Sequence, residues 1–281
     1  MRSFIVCVLG VLASVAACAQ TTLPTADLPA GRELIDDRQG HILRPESLRP
    51  TPELIGRLKV PDGFEVNVFA TDLGKPRMMA TDADGVVYVT RRQPGQVIAM
   101  RDTTGDGKAD KTWIAVKNLP DVHGIAIHDG RMYLATVNSV YVCPMRDGGV
   151  GDPERIIDNL PEGGRHPNRT LGVSPDNKLY ITVGSTCNCC IEKDPRSAAI
   201  LVSDLDGKNT RIYAQGLRNT LGIDWHPKTR EMWGMDNGTD WLGDEQPPEE
   251  LNKLLDGKHY GWPFIYGDQK VIELASYPRG F

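Results

Sequence analysis

Four times along this chain a short apolar run gives way to a turn of Pro, Asp, Gly or Asn and then to a second apolar run that carries an aromatic residue. The copies run from Met78 to Tyr88, from Gly124 to Tyr133, from Leu171 to Tyr180 and, slightly lengthened, from Leu221 to Trp233. Apolar runs broken by such turns predict antiparallel hairpins. The aromatic marks at 88, 133, 180 and 233 lie 45, 47 and 53 residues apart. A period in the forties with several short strands per repeat predicts the blades of a β-propeller. Helix signals are almost absent apart from a short turn around Glu249 to Leu255, so the chain is expected to be all-β. The alternation of Phe64, Val66, Val68 and Ala70 predicts a half-buried strand at the start of the globular part.

This periodicity gives scattered polar residues a common place. In a propeller the connection between blades delivers the chain to the innermost strand, so the residues just ahead of each copy surround one mouth of the central channel. They are Arg77, His123, His166 with Arg169, and Arg218 with Asn219. A ring of cations, imidazoles and an amide around an axial pocket suits an anionic, planar or polyoxygenated ligand. Each of them is equally readable as a loop residue in water or bonded to a neighbouring blade.

Composition narrows the setting. Of 281 residues, 32 are Lys or Arg and 37 are Asp or Glu, giving a net charge of −5. With no long basic run, the electrostatic term on which nucleic-acid binding depends is missing. Met1-Arg2-Ser3, followed by an apolar core from Phe4 and a small-residue exit, reads as an export leader too short to span a bilayer. Val15-Ala16-Ala17-Cys18 fits a lipobox that would put a lipid on Cys18, whereas Ala17-Cys18-Ala19 fits ordinary cleavage with Gln20 as the new terminus. Either route leads to the periplasm or cell envelope, with a lipid on Cys18 as the only expected membrane contact. Residues 1–19 are therefore expected to be a leader, the Pro-rich residues 20–58 an arm or spacer, and residues 59–281 a propeller domain.

The cysteines are unevenly placed, with Cys143 alone and Cys187-Asn188-Cys189-Cys190 in a tight cluster. A bridge from Cys187 to Cys190 or to Cys189, with Cys143 as a distant partner for a remaining thiol, competes there with a redox or metal role. Asp102 to Asp110 has the oxygen spacing of a calcium loop, but Trp113 stands where a bidentate Glu belongs, which favours a plain hairpin turn. The segment from Asp236 to Asn252 crowds carboxylates among glycines and prolines. Such charges repel unless water or a cation screens them, and hard oxygen donors favour calcium.

Five separated segments carry a resemblance. His166 to Asp176, Leu179 to Ser185, Gly216-Leu217-Arg218-Asn219-Thr220-Leu221-Gly222, Glu250-Leu251-Asn252 and Tyr260-Gly261-Trp262-Pro263 are similar in order and spacing to the glucose/sorbosone dehydrogenases that use pyrroloquinoline quinone (PQQ). The Cys-Asn-Cys-Cys loop and Asp240-Trp241-Leu242-Gly243-Asp244 look closer to the sorbosone branch. The resemblance covers roughly residues 58–267 and implies a six-bladed propeller that carries PQQ over its axis with one calcium ion beside the quinone. It implies that His166 removes the substrate's hydroxyl proton as hydride passes to the quinone, that Arg218 and Asn219 touch the cofactor, and that Gly238, Thr239 and Glu249 contact the calcium. An imidazole near neutral pKa can accept that proton, and a dication can polarise the carbonyl that receives the hydride. Two positions depart from the glucose enzymes, Thr220-Leu221 in place of Pro-Gln and Thr170 in place of an arginine.

The sequence stops at Phe281, soon after the fourth repeat, so about four blades of a C-terminally truncated propeller are expected. The leading reading is PQQ-dependent oxidation of a sugar or sugar aldehyde, with electrons passing to a separate acceptor because no haem attachment motif is present. This stretch alone would supply only part of the cofactor's cradle. A non-catalytic envelope propeller that binds carbohydrate or protein, and a calcium-dependent lactone hydrolase, are the competing readings, since fold does not fix chemistry.

Overall fold

The computed structural model describes residues 49–146, 149–240, 249–266 and 270–271. The expected leader with Cys18, most of the expected arm, residues 241–248 of the acidic loop and the tail from residue 272 lie outside the described residues. Within the described end of the arm, Pro52–Ile55 forms a single helical turn, α1, capped by the Thr51 hydroxyl, which accepts from the Leu54 N–H at 3.3 Å.

Each repeat becomes one antiparallel sheet. Blade 1 is built from β1 (Met79–Thr81), β2 (Val87–Arg91), β3 (Gln96–Arg101) and β4 (Lys111–Val116), in that order. Blade 2 follows with β5 (Gly124–His128), β6 (Arg131–Ala135) and β7 (Val140–Arg146), and both β8 (Gly149–Val150) and β9 (Glu154–Ile157) pair with β7. Blade 3 comprises β10 (Leu171–Val173), β11 (Lys178–Val183), β12 (Ala199–Asp204) and β13 (Arg211–Gln215). Blade 4 has β14 (Thr220–Trp225), β15 (Met232–Asp236) and β16 (Glu250–Leu254). The strand β17 (Lys258–His259) returns to lie parallel to β13, and β18 (Ile265–Tyr266) pairs with β19 (Lys270–Val271). The first strands β1, β5, β10 and β14 neighbour one another in chain order, as innermost strands of successive blades must. The expected all-β propeller architecture is thus observed, with four blades.

The repeat seen in the sequence is a repeat of register. Tyr88, Tyr133, Tyr180 and Trp233 each sit on the second strand of a blade, opposite Ala80, Ala126, Gly172 and Asp224 on the first. The tyrosines face forward: Tyr88 packs into the core between blades 1 and 2, Tyr133 between 2 and 3, and Tyr180 between 3 and 4. Alternation along β6 and β11 splits each strand between two such cores. Met132 and Leu134 face blade 1 while Tyr133 and Ala135 face blade 3, and Leu179, Ile181 and Val183 face blade 2 while Tyr180 faces blade 4. Central blades buried on both faces therefore read as nearly continuous apolar runs.

Two expectations fail for physical reasons. Residues 64–70 form no strand, and Phe64 is 72% exposed, because no strand among the described residues pairs with them; the segment is tied to blade 1 by the Ala109 N–H, which donates to the Phe69 carbonyl at 2.8 Å, and by the packing of Phe69 and Ala70. The turn expected from Glu249 to Leu255 is the strand β16, which pairs with β15 through Asp236↔Glu250 to Met232↔Leu254. Its side chains alternate, with Leu254 buried and Leu251 and Lys253 exposed, the period of a strand. The Asp102 to Asp110 segment is a hairpin turn, in which the Asp102 carboxylate accepts the N–H groups of Thr104, Gly105 and Gly107.

One topological fact positions everything below. The connections between blades and the loops from each second strand to its third open at the same end of the blades. In blades 1 and 2 those loops are short, residues 92–95 and 136–139; in blades 3 and 4 they lengthen to 184–198 and 237–249. The cysteine cluster and the acidic loop are thus the same connection in successive blades.

Candidate active site

The approaches to the four innermost strands are stitched together across the blades. The Thr90 hydroxyl donates to the His123 carbonyl at 2.7 Å, His123 Nδ1–H donates to the Arg169 carbonyl at 3.0 Å, and the Thr170 hydroxyl donates to the Leu221 carbonyl at 2.7 Å. Blade 1 is thereby linked to 2, 2 to 3 and 3 to 4. His123 is only 4% exposed, so it serves this belt rather than a ligand. A Cβ on Gly124 would lie 2.5 Å from the Arg169 carbonyl oxygen, which is why a glycine follows His123. Arg77 is exposed and takes no part in the belt.

His166 differs. It is half-buried, and its Nδ1 lies 2.6 Å from the Ser185 carbonyl. A carbonyl only accepts, so Nδ1 carries the proton and Nε2 keeps its lone pair. Burial first, and the nearby Arg218 guanidinium second, hold its pKa below the ordinary histidine value. The side chain is therefore a neutral imidazole at neutral pH, anchored at one nitrogen and basic at the other. Gly184 brings it close to Asn219: a Cβ there would lie 2.6 Å from His166 Cβ and 2.8 Å from Asn219 Oδ1. The Asn219 side-chain amide has no hydrogen-bond partner among the described residues, and its main-chain N–H donates to Asp236 Oδ1 at 3.0 Å.

Beneath these two lie buried cations. Arg169 is fully buried, and its guanidinium meets only main-chain carbonyls, those of Val137, Pro161, His166 and Asn168. Burial pulls its pKa down to about 10, which leaves it charged at neutral pH with no facing carboxylate among the described residues. Arg218 is 2% exposed; its Nε donates to the Asn188 carbonyl at 2.8 Å, Nη2 to Asn188 Oδ1 at 2.6 Å and Nη1 to the Asn237 carbonyl at 3.2 Å. Asp240 lies 3.4 Å from Nη2 and the Trp262 ring 5.7 Å from the guanidinium carbon. Its guanidinium is thus engaged by the scaffold, and of the expected pair Asn219 is the one whose side chain remains open. Asp236 accepts from the N–H groups of Arg218 and Asn219 and from the Thr220 hydroxyl, while burial pushes its pKa up to about 7.

The long loops close the site from two sides. Cys187 and Cys190 form a disulfide, one of the two pairings left open by the sequence, and Cys143 and Cys189 are buried and outside any disulfide. Glu192 accepts the hydroxyls of Ser185 and Thr186 and the Thr186 N–H, and so fixes the carbonyl that orients His166. On the blade 4 loop, Glu249 Oε2 accepts the Gly238 N–H at 2.9 Å and Thr239 is buried, so two of the three expected calcium contacts meet. Asn237 N–H donates to the Asn219 carbonyl at 3.2 Å, which joins this loop to the approach of blade 4. Sequence reasoning missed Gly184, Ser185, Asn188 and Glu192. The available signal was their position immediately after the second strand of blade 3, in the lengthened loop.

Residues 58–266 match the family described as TrAA12-like, which is three quarters of the chain. The chain belongs to that family. An uncharacterized protein of Borreliella burgdorferi is 32% identical over 231 residues, covering 76% of this chain and 59% of that protein. A pyrroloquinoline quinone-dependent sugar dehydrogenase of Hypocrea jecorina is 27% identical over 248 residues, covering 73% of this chain and 56% of the relative. The calcium structure of the Trichoderma reesei carbohydrate-active enzyme of family AA12 shares the fold, with a TM-score of 0.65 and 24% identity over 78% of this chain and 62% of the other. The TrAA12-like chain therefore spans somewhat over half the length of these relatives.

The residues present fit an anionic, oxygen-rich cofactor. An open amide at Asn219 and the buried Arg169 charge, which among the described residues meets main-chain carbonyls and no carboxylate, lie at this mouth. A buried cation without a carboxylate raises the local potential and favours an anionic ligand. The Glu249 carboxylate folded onto Gly238 offers the hard oxygen donor that calcium requires.

Proposed function

We propose that this TrAA12-like protein oxidises a sugar or sugar aldehyde of the aldose or sorbosone type, using PQQ with calcium, in the periplasm or cell envelope. The observation that carries the proposal is the state of His166, whose Nδ1 is anchored on Ser185 and whose basic Nε2 is left open beside Asn219. The named relative of Hypocrea jecorina and the calcium structure of the Trichoderma reesei protein support the cofactor assignment. The disulfide suits an oxidising compartment, and a lipid on Cys18 would hold the protein at the membrane.

PQQ, when bound, supplies the oxidant that accepts a hydride from the substrate carbon, and calcium polarises the accepting carbonyl. The rest falls to residues of this chain. His166 Nε2 takes the substrate hydroxyl proton, and the Ser185 carbonyl keeps the Nδ1–H hydrogen bond as the ring becomes cationic. Asn219 positions cofactor and substrate against the imidazole, while Gly238, Thr239 and Glu249 hold the metal. Burial and the Arg218 guanidinium oppose a positive charge on His166, so the proton is held weakly and passes on to water.

The test is titration of the full-length apoprotein with PQQ and calcium, followed by addition of aldoses and sugar aldehydes. The expected result is saturable binding and a sugar-dependent change in quinone absorbance, with electrons recovered on a dye. Binding of sugar without quinone reduction would support the non-catalytic reading, and hydrolysis of a lactone would support the hydrolase.

A further inference from the structure

Hydrogen bonds from two parts of blade 4 converge on Asn188, a residue 1% exposed in the loop closed by Cys187 and Cys190. Its carbonyl accepts from Arg218 Nε at 2.8 Å, and its Oδ1 accepts both Arg218 Nη2 at 2.6 Å and the Asp240 N–H at 2.9 Å. Its Nδ2 donates to the Asp240 carbonyl at 3.4 Å. One side chain on blade 3 thus grips both the approach to blade 4 and that blade's long loop.

We infer that Asn188 is a positioning residue of the site, holding the Arg218 guanidinium and the Asp240 main chain so that the Arg218–Asn219 pair and the Gly238–Thr239 segment keep a fixed relation to each other and to His166. The connection to His166 is short. The Arg218 carbonyl accepts the Ser185 N–H at 2.7 Å, and the Ser185 carbonyl accepts His166 Nδ1–H at 2.6 Å. Of the five guanidinium protons of Arg218, one goes to the Asn188 side chain and one to its main-chain carbonyl; among the described residues Asp240, at 3.4 Å and half exposed, adds the facing carboxylate. Without the Asn188 oxygen the buried cation must turn toward Asp240, carrying the loop with it. The disulfide contributes by keeping Asn188 facing inward, since the bridge closes over a separation of three residues.

The inference rests on the proposed PQQ and calcium site, and its test separates the two. In the full-length apoprotein, PQQ binding is read by fluorescence quenching, calcium binding without PQQ by calorimetry, and folding by thermal melting. Asn188→Leu removes the side-chain acceptor and donor at similar volume, and is expected to weaken PQQ binding about tenfold or more, the loss that follows removal of a hydrogen bond to a charged group, and to weaken calcium binding in the same direction. Asn188→Asp keeps an oxygen for both Arg218 Nη2 and the Asp240 N–H and gives up the long 3.4 Å bond to the Asp240 carbonyl, and is expected to bind each ligand within about threefold of wild type because the bond to the cation is the stronger one. Wild-type protein that binds neither ligand removes the functional reading and this inference with it. Wild-type binding that is unchanged in a folded Asn188→Leu overturns the inference alone. Should Asn188→Leu fail to fold, Asn188→Asp decides: retained binding supports the acceptor role, and a loss of tenfold or more overturns it.

Discussion

Blades 1 and 2 and blades 3 and 4 are built on one register, yet only the second pair carries open chemistry. In the first pair the second-to-third loops are short, and the histidine ahead of the inner strand, His123, is buried with its Nδ1 bonded across to blade 3. In the second pair the same loops extend over 184–198 and 237–249, and the histidine ahead of blade 3, His166, turns its anchored nitrogen onto its own blade at Ser185. The register position of His123, three residues before the partner of the blade's tyrosine, is held in blade 3 by Arg169, and His166 stands three residues earlier in the approach. Both imidazoles carry a donor at Nδ1, but His166 finds its acceptor in the lengthened loop, at Ser185, where blade 2 has a tight turn. A site arises here by insertion at one topological slot, with the scaffold left alone.

The largest expected effect breaks the pair of histidines apart. His166→Asn retains a donor near the Nδ1 position and removes the base, so turnover is expected to fall by about 10² to 10⁴ while PQQ binding stays within a few fold. His123→Asn, made in the same way, is expected to leave turnover within a few fold, since its ring only links two blades. Steady-state rates and PQQ titration on both variants check this. Comparable rate losses in the two would mean that the belt, and not the base, limits turnover.

The comparison sharpens with pH. Burial holds both histidines below the ordinary value, and Arg218 adds to the effect at His166. A base must be unprotonated, so the acid limb of kcat/KM is expected to have its midpoint below about pH 6.5. On stability the two histidines act with one sign: the unfolded chain binds their protons more readily, so they cost the folded state stability as pH falls below about 6.5, whereas Asp236, raised to about 7, binds its proton more readily when folded and pulls the other way. Melting curves from pH 5 to 8 should therefore be read as the difference between wild type and His123→Asn, with the variant losing less stability toward acid. A slope unaltered by His123→Asn would place the proton uptake elsewhere.

The blades were legible in the sequence because their signal is carried by side chains that alternate between two cores, and Tyr88, Tyr133 and Tyr180 fall at the same register in each. His166 and the Arg218–Asn219 pair were legible because the repeat fixes what precedes an inner strand. Three things were not. Residues 64–70 alternate like a strand but find no partner to pair with, a property of the neighbours and not of the segment. Glu249 to Leu255 reads as a helical turn by composition, whereas pairing with β15 makes it a strand. The roles of Arg218 and Asn188 depend on two loops from different blades meeting in space, and no local pattern encodes that meeting. Thr170, which reads as a lost cofactor contact, is in the structure a staple to blade 4.

That staple gives the smallest expected effect and the cleanest control on the comparison. Thr90 joins blade 1 to blade 2 and Thr170 joins blade 3 to blade 4, each by one hydroxyl donated to a carbonyl at 2.7 Å. Thr→Val at either position keeps the shape and leaves a carbonyl unpaired, a loss of about 1 to 3 kcal/mol when the group is buried. Both hydroxyls sit on buried residues, and the Thr90 hydroxyl also accepts the Met78 N–H at 3.1 Å, so Thr90→Val is expected to lower stability more than Thr170→Val in denaturant titrations. Their effects on the site should differ: Thr170 lies next to Arg169 and one blade away from Asn219, so its variant should weaken PQQ binding a few fold, whereas Thr90→Val should leave it unchanged. A larger stability loss at Thr90 with the larger binding loss at Thr170 would show that the site's sensitivity does not simply follow global stability. Equal binding losses would mean that the site is sensitive to the ring as a whole, and the division between the two pairs of blades would then be one of position only.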